Sequence, residues 1–195
     1  MSKRLAAALF TFLLSISAFI GTAHAADPEF TMVGGATSVS FDDDFIDNEW
    51  GVWLAPSFSF SPVSSTPQFR LGVGVSFAWV SVDTDSDTGT LFNTGDADLY
   101  LITPELLISW RQPIGDHFYL EPGVGVGAVI GLLDSFGTES DVGYSIRPYL
   151  RAGYDAARWS AGIEAAYRFS QLDLGGGSSD LENFNIGVFV AFKLG

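Results

Sequence analysis

The feature of the sequence that most constrains its fold is an alternation of apolar side chains that runs from residue 48 to residue 194. In the segment 68–80, every second residue is large and apolar, and the residues between them are small or polar. The apolar set is Phe69, Leu71, Val73, Val75, Phe77 and Trp79. A period of two with no charge at the apolar positions is typical of a β-strand with one face in lipid and the other towards a polar interior.

Eight strands can be predicted from this pattern, at residues 30–41, 49–60, 68–82, 98–111, 117–133, 144–154, 159–171 and 183–194. The connections between them alternate in length. Those at 61–67, 112–116 and 155–158 are short, whereas those at 42–48, 83–97, 134–143 and 172–182 are longer and acidic. The sequence therefore predicts an all-β fold, an eight-stranded antiparallel transmembrane β-barrel with short periplasmic turns and longer acidic extracellular loops.

The first predicted strand has no single lipid face, because Phe30, Met32 and Ala36 compete for it with Val33, Val39 and Phe41. Four prolines fall inside later strands, at Pro56, Pro104, Pro122 and Pro148. A proline cannot donate to the ladder and is found at edges or bulges. Because a closed barrel has no edge, we expect local β-bulges at these positions.

Aromatic residues cluster near both ends of the predicted strands, as in the two interfacial belts of a membrane barrel. One set is Trp50, Phe77, Trp79, Tyr100, Tyr144, Tyr167, Phe169 and Phe184; the other is Phe58, Phe60, Phe69, Trp110, Phe118, Tyr154, Trp159 and Phe192. A soluble β-sandwich is the alternative, since its core also alternates. A sandwich buries its aromatics in the middle of strands, however, and does not need every position on the apolar face of its strands to be uncharged.

The N-terminus carries the pattern of a secretory signal. Lys3 and Arg4 precede the apolar run 5–20, and Ala23-His24-Ala25 supplies a small-x-small cleavage site. We expect residues 1–25 to be removed near Ala25, leaving a barrel domain at 26–195 in the outer membrane of a Gram-negative envelope. An uncleaved membrane helix is the alternative.

Charge and cysteine content exclude several functions. After signal removal, seven basic and 23 acidic residues remain, a net charge of −16, which argues against nucleic acid as a partner. The chain has no cysteine, so a disulfide scaffold, a thiol nucleophile and a thiolate metal site are excluded.

The inward face of the predicted strands collects most of the basic residues and several acidic ones. We expect a structural network in the lumen made of Arg70, Glu105, Glu121, Arg147, Arg151, Glu164 and Arg168, joined by Arg111, Lys193, Tyr119 and Tyr149. An eight-stranded barrel is only wide enough for side chains to fill it. The short turn 155–158 predicts Tyr149 opposite Glu164, which then lies diagonally between Arg147 and Arg151. These groups are expected to neutralise one another in a polar-filled barrel; a proton or ion path is the alternative.

Glycines on the same face, at Gly72, Gly74, Gly123, Gly125, Gly127, Gly153 and Gly162, are expected to give these long side chains room.

The four longer connections, together with the bordering residues Glu49 and Asp98, hold 16 of the 23 acidic residues and no basic residue. Such a surface attracts divalent cations, lipopolysaccharide bridged by them, or a protein partner. Asp83, Asp85 and Asp87 are candidate metal ligands, because their spacing is similar to the start of an EF-hand loop. The glycine of that motif stands one place late, at Gly89, and Thr94 replaces its last glutamate. Solvated loops without a metal are the alternative.

The sequence offers no catalytic constellation. The mature chain has one histidine, His117, beside Asp116 at a predicted periplasmic turn, whereas a lipid hydrolase of this membrane needs a general base near the outer leaflet. We therefore expect no enzyme activity and no cofactor.

The alternation, the signal ending in Ala23-His24-Ala25, the acidic loops and the final strand 185–192 resemble the small eight-stranded outer-membrane β-barrel family, to which the OmpA transmembrane domain and OmpX belong. The resemblance covers nearly all of 26–195. It implies insertion by the barrel assembly machinery and a role in envelope integrity, adhesion or surface contact, without a cofactor. It departs at the C-terminus, because Lys193-Leu194-Gly195 follow Phe192, where such chains end on an aromatic residue. A narrow channel for small solutes and a lipid-modifying enzyme stay open as alternatives.

Overall fold

The chain folds into nine β-strand segments, and the computed structural model describes residues 26–41, 49–82, 97–134, 138–172 and 179–194. The strands are β1 (Ala26–Phe41), β2 (Glu49–Ser61), β3 (Phe69–Val82), β4 (Ala97–Trp110), β5 (Gln112–Ile114), β6 (Phe118–Asp134), β7 (Thr138–Asp155), β8 (Trp159–Leu172) and β9 (Ser179–Lys193). No helix in these ranges has the length and hydropathy needed to cross a membrane.

The strands form one closed antiparallel sheet. Consecutive strands pair with one another, except that β4 and β5 both pair with β6, and β9 pairs with β1. Since β4 and β5 are separated only by Arg111 and keep the same register against β6, they form one interrupted strand. The predicted eight-stranded antiparallel β-barrel is thus confirmed.

Strand pairing is staggered around the barrel. Successive cross-strand partners starting at Phe30 return to β1 at Ser40, ten residues further along: Phe30, Phe58, Val73, Leu106, Val126, Ile146, Phe169, Glu182, Ser40. Such a stagger tilts the strands relative to the barrel axis and sets its width. At eight strands the interior holds side chains and little else.

The two ends of the barrel differ in their connections. We call the end with residues 62–68, 115–117 and 156–158 the turn end, and the opposite end the loop end. Residues 42–48, 83–96, 135–137 and 173–178, which include most of the predicted acidic loops, lie outside the described residues.

Three predicted connections are shorter than expected. Residues 179–182, predicted as loop, belong to β9 and pair with β8. Residues 138–143, predicted as loop, belong to β7 and pair with β6, for example Ser140 with Leu132. Residues 112–114, predicted as turn, form β5. Backbone pairing across the sheet extends these strands beyond the range in which their side chains alternate. Five acidic residues predicted in the longer connections therefore lie on strands: Asp134, Glu139, Asp141, Asp180 and Glu182. Glu49 and Asp98, which border those connections, lie on strands as predicted.

The expected β-bulges at the prolines are absent from the described strands. The ladder pairing lapses on one side of Pro56, Pro104, Pro122 and Pro148, but the register before and after each gap is the same. A proline removes one donor without requiring an extra residue. A bulge would insert a residue and turn the following side chains to the other face, which the fixed faces of these strands oppose. Among the described strands, the register shifts between Ala26 and Glu29, at the start of β1.

The outer wall of the barrel is apolar. Val188, Trp50, Phe118, Leu106 and Ile163 are each between 59 and 66% exposed. In β1, Phe30 and Met32 face outwards, whereas Val33 and Val39 are fully buried inside, which decides the lipid face left open by the sequence. Phe60 is only 7% exposed and lies beside Phe58, with the two ring centres 6.4 Å apart.

Aromatic side chains meet across neighbouring strands near both ends. Trp79 pairs with Tyr100, and Tyr167 with Phe184, towards the loop end. Phe118 pairs with Tyr154 towards the turn end. At that end the Tyr154 ring also lies 6.1 Å from the Trp159 ring. The outer wall therefore has two aromatic rims around an apolar band.

Candidate functional site in the barrel interior

Five arginines and four glutamates alternate along the inside of the barrel, in what we call the ion-pair ladder. Its order is Arg70, Glu29, Arg111, Glu121, Arg151, Glu164, Arg147, Glu105 and Arg168. Each glutamate contacts an arginine on either side. Every member is buried or nearly so, and Arg111 has the most exposed side chain, at 11%. All seven residues of the predicted lumen network belong to this ladder.

The part of the ladder nearest the turn end is built around Arg111. Its two terminal nitrogens donate to the Glu29 carboxylate, at 2.9 and 2.8 Å, and its Nε donates to Glu121 Oε2 at 2.6 Å. Two-point contacts of this kind fix both partners in orientation as well as in distance. Arg111 therefore joins β1 to β6 across the lumen.

Glu164 lies at the centre of the ladder. It accepts a hydrogen bond from Arg151 Nε at 2.6 Å and one from Arg147 Nη1 at 2.6 Å. Arg147 also binds Glu105 through Nη2, at 2.8 Å, and Glu105 in turn binds Arg168. Since each carboxylate is shared by two guanidinium groups, the charges neutralise one another without solvent.

The pairing of Glu164 with both arginines arises from a different register than predicted. Tyr149 pairs with Ala166 instead of Glu164, and Arg151 is directly opposite Glu164. The prediction that Tyr149 lies opposite Glu164 was therefore wrong by two residues. The turn is displaced by one residue along the chain, because Asp155 pairs with Ser160 and Tyr154 with Ala161. A shift of two keeps each side chain on the same face, so Glu164 still reaches Arg147 and Arg151.

Two tyrosines separate parts of the ladder and lie against its arginines. The Arg111 guanidinium is 4.2 Å from the centre of the Tyr119 ring, and that of Arg151 is 4.9 Å from the Tyr149 ring. These distances are within the range of a cation–π contact. The rings fit because of glycines: a Cβ at Gly123 would lie 2.3 Å from Tyr149 Cζ, and one at Gly153 would lie 2.8 Å from Tyr119 Cζ.

Glu29 is the ladder residue that sequence reasoning missed. It lies at the start of β1, whose lipid face the sequence left undecided. The available signal was parity: once Phe30 and Met32 face lipid, Glu29 and Thr31 must face inwards. Glu29 is 1% exposed. Lys193, by contrast, was expected in the lumen network and instead pairs with Asp155 at the turn end, at 2.8 Å, where its side chain is 28% exposed.

Towards the loop end the interior changes from polar to apolar. Seven side chains form what we call the apolar layer, and each is at most 1% exposed: Val39, Val80, Leu99, Leu101, Val129, Leu172 and Leu181. Most lie within three residues of the loop end of their strands. The expectation of a barrel filled by polar groups therefore holds for the ladder region and fails between the ladder and the loop end. These side chains fill this part of the described interior with apolar groups.

At the turn end the interior opens into a cavity of about 200 Å³, which we call the turn-end cavity. Asp27, Glu29, Arg70, Arg111, Asp155 and Lys193 line it together with Pro67, Gln68 and Pro113. The interior thus meets solvent in this cavity at the turn end, whereas the apolar layer lies towards the loop end.

The remaining candidates from the sequence lie away from the ladder or outside the described residues. The candidate metal ligands Asp83, Asp85 and Asp87 lie outside the described residues. Among the described residues, no group of three or more histidine or carboxylate side chains could hold a metal ion. His117 is exposed at the turn end, with its ring 5.4 Å from the Tyr154 ring.

Solved structures with the same architecture are outer-membrane proteins. Neisserial surface protein A matches with a TM-score of 0.59 at 11% identity, over 86% of this chain and 97% of that one. The chain has the fold of the small outer-membrane β-barrels. Ail of Yersinia pestis and OprG of Pseudomonas aeruginosa each match with a TM-score of 0.48, at 17 and 16% identity, over 86 and 87% of this chain and 99 and 98% of theirs. No protein-family model and no curated protein matches the sequence.

Proposed function

We propose that this outer-membrane-type barrel is an integral protein of the cell outer membrane that serves a structural or surface-interaction role and does not conduct. The turn end would face the periplasm and the loop end the outside, after removal of residues 1–25. The apolar outer wall between two aromatic rims and the fold shared with Neisserial surface protein A support this location.

The observation that carries the non-conducting role is the filling of the lumen. Ions crossing the barrel would have to pass the ladder, in which every carboxylate is already shared by two arginines, and then the apolar layer. Hydrophobic constrictions of this kind exclude water and ions. A barrel with this interior is better suited to a structural or surface role than to transport.

Planar-bilayer recording tests this role against the channel alternative. Protein purified into detergent and inserted into a bilayer is expected to give no current steps. Flotation of the same preparation with lipid vesicles controls for insertion, so that an absence of current cannot arise from protein left in solution. Reproducible steps from the inserted protein would overturn the proposal and favour a narrow channel.

The surface role is proposed for the acidic connections at the loop end, whose partners would be divalent cations, lipopolysaccharide headgroups bridged by them, or a protein. Calcium is expected to raise the melting temperature or to slow proteolysis of the loops. A variant with Asp83, Asp85 and Asp87 replaced by asparagine should lose this effect, while Asp116→Asn at the turn end should keep it. Absence of any calcium effect on the parental protein would remove cations from the list of partners.

A lipid-modifying activity would have a different signature. Mass spectra of outer-membrane lipids from cells with and without the protein are expected to be identical. A lipid species that depends on the protein would instead identify an enzyme and would redirect attention to the carboxylates of the loop end.

A further inference from the structure

The ion-pair ladder begins and ends with an arginine. It contains five guanidinium groups and four carboxylates, so the buried set carries one surplus positive charge. The two terminal arginines are also the two whose Nε atoms have no hydrogen-bond partner among the described residues, Arg70 at the turn end and Arg168 at the other end. The surplus positive charge therefore lies on the two terminal arginines of the ladder.

The positive charges of the two terminal arginines are compensated to different degrees. Arg168 is bound to the Glu105 carboxylate and donates to the hydroxyl groups of Thr103 and Ser76. Arg70 is 4% exposed, and its one carboxylate contact among the described residues is Glu29 Oε1 at 3.8 Å, beyond hydrogen-bonding distance. Both Glu29 oxygens already accept from Arg111. Arg70 thus lacks a hydrogen-bonded counter-ion.

The groups that Arg70 does bind are neutral. Its Nη2 donates to Ser59 Oγ at 3.0 Å and to the Asp27 carbonyl oxygen at 3.4 Å. A buried charge that is held only by neutral partners is costly, and a mobile counter-ion relieves that cost when space allows. Arg70 lines the turn-end cavity, so such an ion can reach it.

The turn-end cavity suits a small anion. Its volume of about 200 Å³ is far above the roughly 10–15 Å³ needed by one water molecule, so an ion can enter with part of its hydration shell. Two of its acidic groups are already paired, Glu29 with Arg111 and Asp155 with Lys193, and Asp27 is exposed to solvent. The cavity therefore presents Arg70 as its unpaired buried charge.

We propose that the turn-end cavity binds a small inorganic anion, of the size of chloride, against the Arg70 guanidinium. This site lies inside the barrel and does not depend on the role proposed for the loops. Binding completes the charge balance of the ladder at the end that opens to solvent, so the anion stabilises the folded barrel by mass action.

The test compares chloride with a bulky anion at constant ionic strength, using protein purified into uncharged detergent micelles. Replacing gluconate by chloride is expected to raise the melting temperature of the parental protein by about 2–4 °C, with saturation, because the ion binds only the folded state. Arg70→Met keeps an apolar stem without the charge and should lose the response. Arg158→Met removes an exposed cation at the same end and should keep it.

Two results would overturn the proposal. One is an equal effect of gluconate and chloride on the parental protein, which would indicate screening alone. The other is a chloride response of Arg70→Met equal to that of the parental protein. If Arg70→Met does not fold, Arg70→Lys retains the charge and should retain the response. Chloride line broadening in nuclear magnetic resonance of the parental protein, competed by bromide but not by gluconate, measures the same site, and its absence would also contradict the proposal.

Discussion

At the scale of the residue, the decisive property of this barrel is that single carboxylates hold two arginines each. Glu164 is 0% exposed and binds Arg147 and Arg151 at 2.6 Å. Each of these arginines reaches a second glutamate, Glu105 for Arg147 and Glu121 for Arg151. The loss of one ladder carboxylate therefore leaves two guanidinium groups underpaired in the buried interior.

We expect Glu164→Gln to lower the free energy of unfolding by about 3–5 kcal/mol, the range found when one partner of a buried ion pair is removed. The substitution keeps the shape of the side chain and removes its charge, so packing stays the same. Urea unfolding in detergent micelles, followed by tryptophan fluorescence, measures the change. Asp116→Asn, on an exposed turn residue, is the matched control and should change stability little. A loss below about 1 kcal/mol for Glu164→Gln would show that the ladder does not stabilise the barrel.

At the scale of the element, each strand has two chemically different faces, and β9 illustrates this well. Ile186, Val188 and Val190 are exposed on the outer wall, while Asn183, Asn185 and Phe189 are buried inside. Because β9 pairs with both β1 and β8, its outer face has lipid as its expected neighbour. The cost of a charge on that face should therefore depend on its depth.

Arginine substitutions along β9 test the depth dependence. Val188, near the middle of the strand, is 66% exposed, and Leu194, just beyond the strand at the turn end, is 59% exposed. We expect Val188→Arg to destabilise the barrel by about 2–4 kcal/mol and Leu194→Arg by about 0–1 kcal/mol, the values typical of the bilayer midplane and interface. Reversible unfolding from phospholipid vesicles gives both numbers. Equal effects at the two positions would place the apolar band somewhere other than around Val188.

At the scale of the whole molecule, stability depends on closure, since every strand finds a partner on both sides. The seam between the two ends of the chain is paired like any other, with thirteen partners from Glu29 and Lys193 to Phe41 and Leu181. Beyond the last strand, the Leu194 amide donates to the Pro28 carbonyl oxygen at 2.8 Å. The termini of the barrel therefore lie side by side at the turn end.

A circular permutant should consequently form the same barrel. We expect a chain that starts at Ser65, joins Leu194 to Pro28 by a short glycine linker and ends at Ser64 to fold in detergent micelles with the same β content. The new break falls among exposed residues of the turn 62–68, where cuts are tolerated. Circular dichroism and the electrophoretic shift on heating report folding. A permutant that stays unfolded where the parental chain folds would mean that the order of the strands, and not closure alone, decides the structure.

The composition of the interior was predicted from sequence more completely than its geometry. Residues such as Arg147 and Glu164 were assigned to the lumen because their parity opposes that of the apolar residues beside them. Glu29 was not assigned to the lumen because apolar residues occur at both odd and even positions of β1, so the alternation does not define its inward face. The apolar layer was missed for a different reason: alternation already places Leu99 and Leu101 on the inward face, but that face was expected to be polar along its whole length.

The sequence by itself determined the number of strands, which face of seven of them meets lipid, and which charged side chains point inwards, because a period of two distinguishes faces. Only the tertiary structure decided that Arg151 pairs opposite Glu164, that the prolines leave the register unshifted, that Glu29 joins the ladder and that an apolar layer lies towards the loop end. The physical reason is that a shift of two residues between neighbouring strands leaves every side chain on its own face. Alternation therefore cannot select the register, and contacts across the closed barrel select it instead.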